Sequence, residues 1–200
     1  MMEYQNYPDL IIEEGHNSGS CFWIMPVKIA MPDYVCQEGE RIFMGTVECF
    51  SSEISIEEEN IEKLLWQFLL RHYNHALSME YRKLSGGTEY DGFEWNLTHN
   101  VYTYEDIRKI LADIQDKVSL LKDNMDNPIL EPFVKHFPAP PCNAVIGKQI
   151  IPLKRSAEEI HAYRLRYLDL FIDFYERFCK RICKMLQDNP RYNHISVMGP

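Results

Sequence analysis

Between Ile56 and Leu84 the chain is apolar on two opposite sides of a helical repeat. A helix of that kind is stable only between two layers, so it must lie inside a layered fold. Ile61, Leu64, Leu65, Phe68, Leu69, Ala76 and Met79 make one stripe, and Trp66, Leu70, Leu77 and Tyr81 make a second almost opposite. Only a wedge around Gln67, Arg71, Asn74 and Ser78 is polar throughout. Ser55 followed by Glu58 has the spacing of a capping box, and Glu57, Glu58 and Glu59 fall where a helix dipole favours anions. Ser85-Gly86-Gly87 supplies the stop.

What precedes this helix reads as β. Residues 21–31 form a nearly continuous apolar run interrupted by Pro26, which lacks a ladder donor. The run is therefore expected as an edge strand, a bulged strand or two short pieces. Residues 41–50 alternate, with Phe43, Val47 and Cys49 on one side and Glu48 on the other. Turn residues between the two segments leave no room for a crossover helix, so antiparallel pairing is expected.

Two further helices follow. Thr103 with Asp106 caps a helix running to about residue 122, with an apolar stripe of Ile107, Ile110, Leu111, Ile114, Val118 and Leu121. Ser156 with Glu159 opens a third, expected to reach residue 187 before Asn189-Pro190. Its length, about 48 Å at 1.5 Å per residue, exceeds what a compact domain of this size requires. Part of it must project, pack along the whole body or meet a second copy, so a homo-oligomer through 156–187 is one expectation. Residues 123–155 read as an irregular connector with one strand near 143–151, and His194–Met198 as an added edge strand. The fold class expected is α+β: one domain over residues 1–200, with a small antiparallel sheet, mostly from the N-terminal third, on three main helices.

Charge is spread unevenly. The formal net charge is −9, and before Lys63 the only basic residues are Lys28 and Arg41, against 13 carboxylates. Such a surface repels phosphate backbones, so nucleic-acid binding is not expected. An acidic face steers a basic protein instead. Glu53, Glu57, Glu58, Glu59 and Glu62 are its candidate partner-binding residues. No apolar run approaches the ~20 residues of a membrane span. The six cysteines form no Cys-x-x-Cys pair, and the start Met-Met-Glu-Tyr-Gln-Asn has no export signal, so reduced thiols in a cytoplasmic setting are expected.

Catalytic patterns are sparse. His72 and His75 stand at i,i+3 in the central helix, a spacing a metal can use, but no third ligand accompanies them and both fall on the apolar stripe. Partly buried structural histidines are the simpler reading, and neither a metal nor another cofactor is expected. Glu89, Asp91, Glu94 and His99 lie among aromatics in 88–102, as in carboxylate sugar-cleaving sites, yet a packed aromatic loop accounts for them equally. A nucleophile elbow and a phosphate-binding loop are both missing.

The expected function is therefore a non-enzymatic intracellular binding protein: an acidic inhibitor- or immunity-like module that docks a basic protein partner. The alternative is a small hydrolase or metal-dependent enzyme built on His72/His75 or the carboxylates of 88–102.

Overall fold

The computed structural model describes residues 10–15, 19–43, 45–84, 92–93, 99–146 and 149–200. In chain order come strands β1 (Ile12–Glu14), β2 (Cys21–Ile29), β3 (Arg41–Phe43), β4 (Thr46–Glu48) and β5 (Ile54–Glu57). A continuous helical stretch follows, made of α1 (Glu58–Asn60), one turn of π-helix (Ile61–Leu65) and α2 (Trp66–Arg71). Then come α3 (His75–Leu84), β6 (Asn100–Thr103), α4 (Tyr104–Asp123), the short α5 (Glu131–Val134) and a separate hairpin of β7 (Asn143–Ile146) and β8 (Gln149–Pro152). The chain ends with α6 (Ala157–Arg166), α7 (Leu168–Asp188) and β9 (His194–Met198). The α+β class read from sequence is the class observed: an antiparallel sheet of N-terminal strands with a long C-terminal helix.

β2 is the axis of the sheet. Along one edge it pairs with β9, and along the other with β5 at Cys21–Ile24 and β4 at Val27–Ile29. β6 extends the sheet beyond β9, β1 flanks β5 and β3 flanks β4, all antiparallel. Two sequence expectations are corrected here. Pro26 lies in an unbroken central strand, and His194–Met198 is internal rather than an added edge. The proline is tolerated because its carbonyl accepts from Cys49 N on the side where a 3₁₀ turn (Phe50–Ser52) separates β4 from β5. In an antiparallel strand N–H and C=O of one residue face the same neighbour, so the missing donor faces that interruption and no ladder bond is lost.

Alternate residues of β2 feed opposite layers. Phe22 and Ile24 join the main core with Ile54, Ile56, Ile195 and Val197, against Phe68, Leu111, Ile114, Phe174 and Phe178 of the helices. Trp23, Met25 and Val27 face the other way, onto Tyr81, Val101, Met198 and Leu77. The expected helix 56–84 is in fact interrupted at His72–Asn74, so apolar residues before and after the break serve different layers. Ile61, Leu64, Leu65, Phe68 and Leu69 pack on one side of the sheet; Leu77 and Tyr81, after the break, pack on the other. Ser55 is not the N-cap: it sits in β5 and donates to the Gly15 carbonyl, and the helix starts at Glu58 without a side-chain cap.

Both other capping boxes form, Thr103/Asp106 on α4 and Ser156/Glu159 on α6. The expected helix 156–187 breaks at Tyr167, however. No side chain of α6 is fully buried, whereas α7 buries Phe171, Phe174, Tyr175, Phe178, Ile182 and Met185. Two shorter helices remove the length argument for a projecting rod. Segment 143–151 contributes to a two-stranded hairpin of its own rather than one strand.

Candidate functional site

The acidic run divides between the interior and the surface. Glu53 is 3% exposed, and its carboxylate lies 3.4 Å from Arg41 Nη2, so it belongs to the interior and is unavailable to a docked protein. Glu57 is exposed where β5 ends, and Glu58 accepts from Ser20 Oγ at 2.5 Å. Glu59 pairs with Lys63 one turn on, and Glu62 is exposed. Exposed i,i+4 pairs contribute only a few tenths of a kcal/mol, so Glu59 remains open to a competing cation.

Glu62 opens onto a groove of about 400 Å³, walled by Trp66, Gln67, Leu70, Arg71, Lys63 and His136. Glu59, Glu62, Trp66 and Leu70 recur at three- and four-residue steps, so carboxylates and apolar groups share one helical face. Leu70 is 43% exposed, a large apolar side chain left uncovered beside the charges. The π turn Ile61–Leu65 sets this face by adding a residue to the repeat; its Ile61, Leu64 and Leu65 are buried.

Other acidic groups of the front third are met from within. Arg181 holds Glu14 at 2.6 Å, while Arg191 at 3.0 Å and Lys28 at 3.9 Å face Glu40. Glu40 also accepts from Tyr34 Oη at 2.5 Å, from the Gln37 amide and from Tyr192 Oη. Burial alone would raise its pKa, but the two tyrosines, the amide and Arg191 together lower it to about 2. Part of the sequence's charge imbalance is thus an internal pairing of N-terminal acids with C-terminal bases.

The two histidines do not converge. His72 Nε2 lies 2.8 Å from Asp113 Oδ2, which also accepts from Arg71 at 3.1 Å. Burial works against the Asp113 charge, yet these hydrogen bonds hold its pKa below the usual value. His75, beyond the helix break, is exposed. Among the described residues no group of three or more His, Cys, Asp or Glu is placed to hold a metal ion. Glu89, Asp91 and Glu94 lie outside the described residues.

His99 sits in a buried chain of polar groups that sequence reasoning missed. Nδ1 is 2.6 Å from Ser196 Oγ and Nε2 is 2.9 Å from Thr46 Oγ1. Thr46 gives its proton to the Phe43 carbonyl, so it accepts from Nε2–H and leaves Nδ1 to accept from Ser196. Glu48 Oε1 is 3.6 Å from Nε2, while its other oxygen accepts from Arg41 Nε at 2.7 Å. Burial, reinforced by the nearby Arg82 charge and opposed by a backbone hydrogen bond at Phe43, lowers the imidazole pKa to about 4.

A serine, a histidine and a carboxylate in series have the connectivity of a nucleophile relay. Here Ser196 and Glu48 are 0% exposed and His99 1%, so the series ties β4, the residue leading into β6, and β9 together in the interior. One signal for it was in the sequence. A tight turn at Gly45 (φ 81°) pairs Phe43 with Thr46 and puts Arg41 opposite Glu48. Searches against family models, curated proteins and solved structures return no match to this chain.

Proposed function

We propose that the protein is a binding module that docks a basic protein partner, in the manner of an inhibitor or immunity protein, through Glu57, Glu58, Glu59 and Glu62. The observation that carries this reading is Glu62, which shares a helical face with Glu59 and opens onto the groove beside Trp66 and Leu70. Interfaces typically combine an aromatic or aliphatic anchor with a polar rim, and charge at the rim sets encounter rate and specificity. A partner presenting Lys or Arg around an apolar side chain matches both halves of the surface.

A test is calorimetric titration with a synthetic amphipathic peptide carrying Lys/Arg on one face and Leu/Trp on the other. Binding is expected to weaken several-fold from about 50 to 200 mM salt. Reversal of Glu57, Glu59 and Glu62 to Lys should abolish it while the chain stays folded, at a stability cost of about 1 kcal/mol from the lost Glu59–Lys63 pair and the helix dipole. Titration curves that are identical for the native chain and the reversed variant contradict the reading.

A further inference from the structure

Away from the acidic face, segment 125–137 and helix α6 line an open cavity of about 430 Å³. That volume lies within the range of small-molecule sites. The segment is a fixed wall, because Met125, Leu130, Phe133 and Phe137 are all buried in the core. From the opposite wall Arg164 donates from Nη2 to the carbonyls of Lys135 at 2.8 Å and Phe137 at 3.0 Å. These bonds fix the plane of the guanidinium.

Among the described residues its charge has no carboxylate counterpart. Arg41, Arg177, Arg181 and Arg191 each meet a carboxylate at 2.6–3.0 Å. Among the described residues none is in ion-pair range of Arg164, and its buried Nε–H makes no hydrogen bond. Burial, with no compensating anion, is what lowers its pKa from the ordinary value. Partly burying a cation without a counter-ion is unfavourable, and such a group in a cavity wall is a feature of ligand sites. Lys135, exposed on the same wall, adds a second cation.

The acidic groups of the cavity narrow the ligand. Asp126 lies 3.6 Å from His161 Nε2, and Glu131 also lines the wall. A doubly charged anion would be repelled by these carboxylates, whereas hydroxyl or amino donors on the ligand would be accepted by them. We propose that this cavity binds a small monocarboxylate bearing an adjacent hydroxyl or ammonium group, its carboxylate oxygens accepting from Arg164 and Lys135 and its donors meeting Asp126 or Glu131.

The test is an amide chemical-shift titration of the full chain with sodium lactate and with glycine, at constant ionic strength set by sodium chloride. Saturable shifts confined to residues 125–137 and 157–166 are expected with at least one of them. Loss of a charge-assisted bond in Lys135→Gln should weaken that binding several-fold, to about tenfold. The ligand-free spectrum of this variant should be unchanged outside its immediate neighbours, because the Lys135 side chain is exposed. Arg164→Lys should weaken binding further, and any loss of folding there is separated by its ligand-free spectrum. Absence of saturable shifts, equal affinity in Lys135→Gln, or equally tight binding of inorganic phosphate overturns the assignment.

Discussion

Arg41 Nε lies 2.7 Å from Glu48 Oε2 across the β3–β4 hairpin, and the side chain of that carboxylate has no exposure to solvent. The same guanidinium reaches Glu53 at 3.4 Å, so one cation holds two buried acids. Arg41→Met takes this cation from both, and weakening the pairing of a buried charge is costly. The expected loss is about 3 kcal/mol in urea unfolding, reduced from the fully buried case because Arg41 itself is 37% exposed. Adding Glu48→Gln to Arg41→Met should restore part of that loss, which identifies the buried charge as its cause.

Stability should fall with acid in a window set by His99. Its folded pKa of about 4 is below the ordinary value of 6.5, so the unfolded chain takes up the proton first as pH falls. Its contribution is whole above about pH 6.5 and is lost toward pH 4, amounting to about 3 kcal/mol. His194, whose pKa burial also lowers, acts in the same direction. The slope of unfolding free energy against pH between 6.5 and 4 should therefore shrink in His99→Gln without vanishing.

A second acid window belongs to Glu40. Its folded pKa, lowered to about 2 from 4.5, makes its contribution whole above pH 4.5 and lost as pH falls toward 2. Tyr192→Phe removes one hydrogen bond to the carboxylate, at a cost of about 1 kcal/mol near neutrality. It should also move the acid-unfolding midpoint to higher pH. An unchanged midpoint means that Tyr192 does not support the Glu40 charge.

These networks show where sequence reasoning reached and where it stopped. The α4 stripe and the caps at Thr103 and Ser156 were legible because their determinants lie within four residues of one another. The two-sided pattern of 56–84 was legible as a pattern, but its cause was not. Nothing local marks His72–Asn74 as the crossing from one side of the sheet to the other, since neither proline nor glycine stands there. Tyr167 likewise breaks 156–187 without a breaker residue; it stacks edge-on with Tyr163 at 4.7 Å, a contact that periodicity does not express. Glu48 reads as an outward residue because strand alternation ignores the second layer. Its partners Arg41 and His99 come from two separate stretches of chain, and Ser196, bonded to that histidine, from a third. Glu53 was misplaced for the same reason: a run of glutamates looks uniform until the strand beneath one of them is buried.

Thiol chemistry offers an independent check on the packing. All six cysteines are free, with Cys36 and Cys142 exposed and Cys21, Cys49 and Cys179 buried. Burial, with smaller contributions from Cys183 and Glu176, pushes the Cys179 thiol up to about 12, so little thiolate forms at neutral pH. Maleimide labelling read by peptide mass should modify Cys36 and Cys142 first. Cys179 should react only at the rate of opening or unfolding, and labelling of Cys179 as fast as Cys36 would contradict the packing of α7.

The most direct test of the docking face is amide chemical-shift mapping of the native chain against the basic amphipathic peptide at low salt. The account predicts saturable shifts concentrated between Glu57 and Arg71 that disappear when Glu57, Glu59 and Glu62 are reversed to Lys. Shifts scattered over all exposed acids, or centred on another surface, would contradict it.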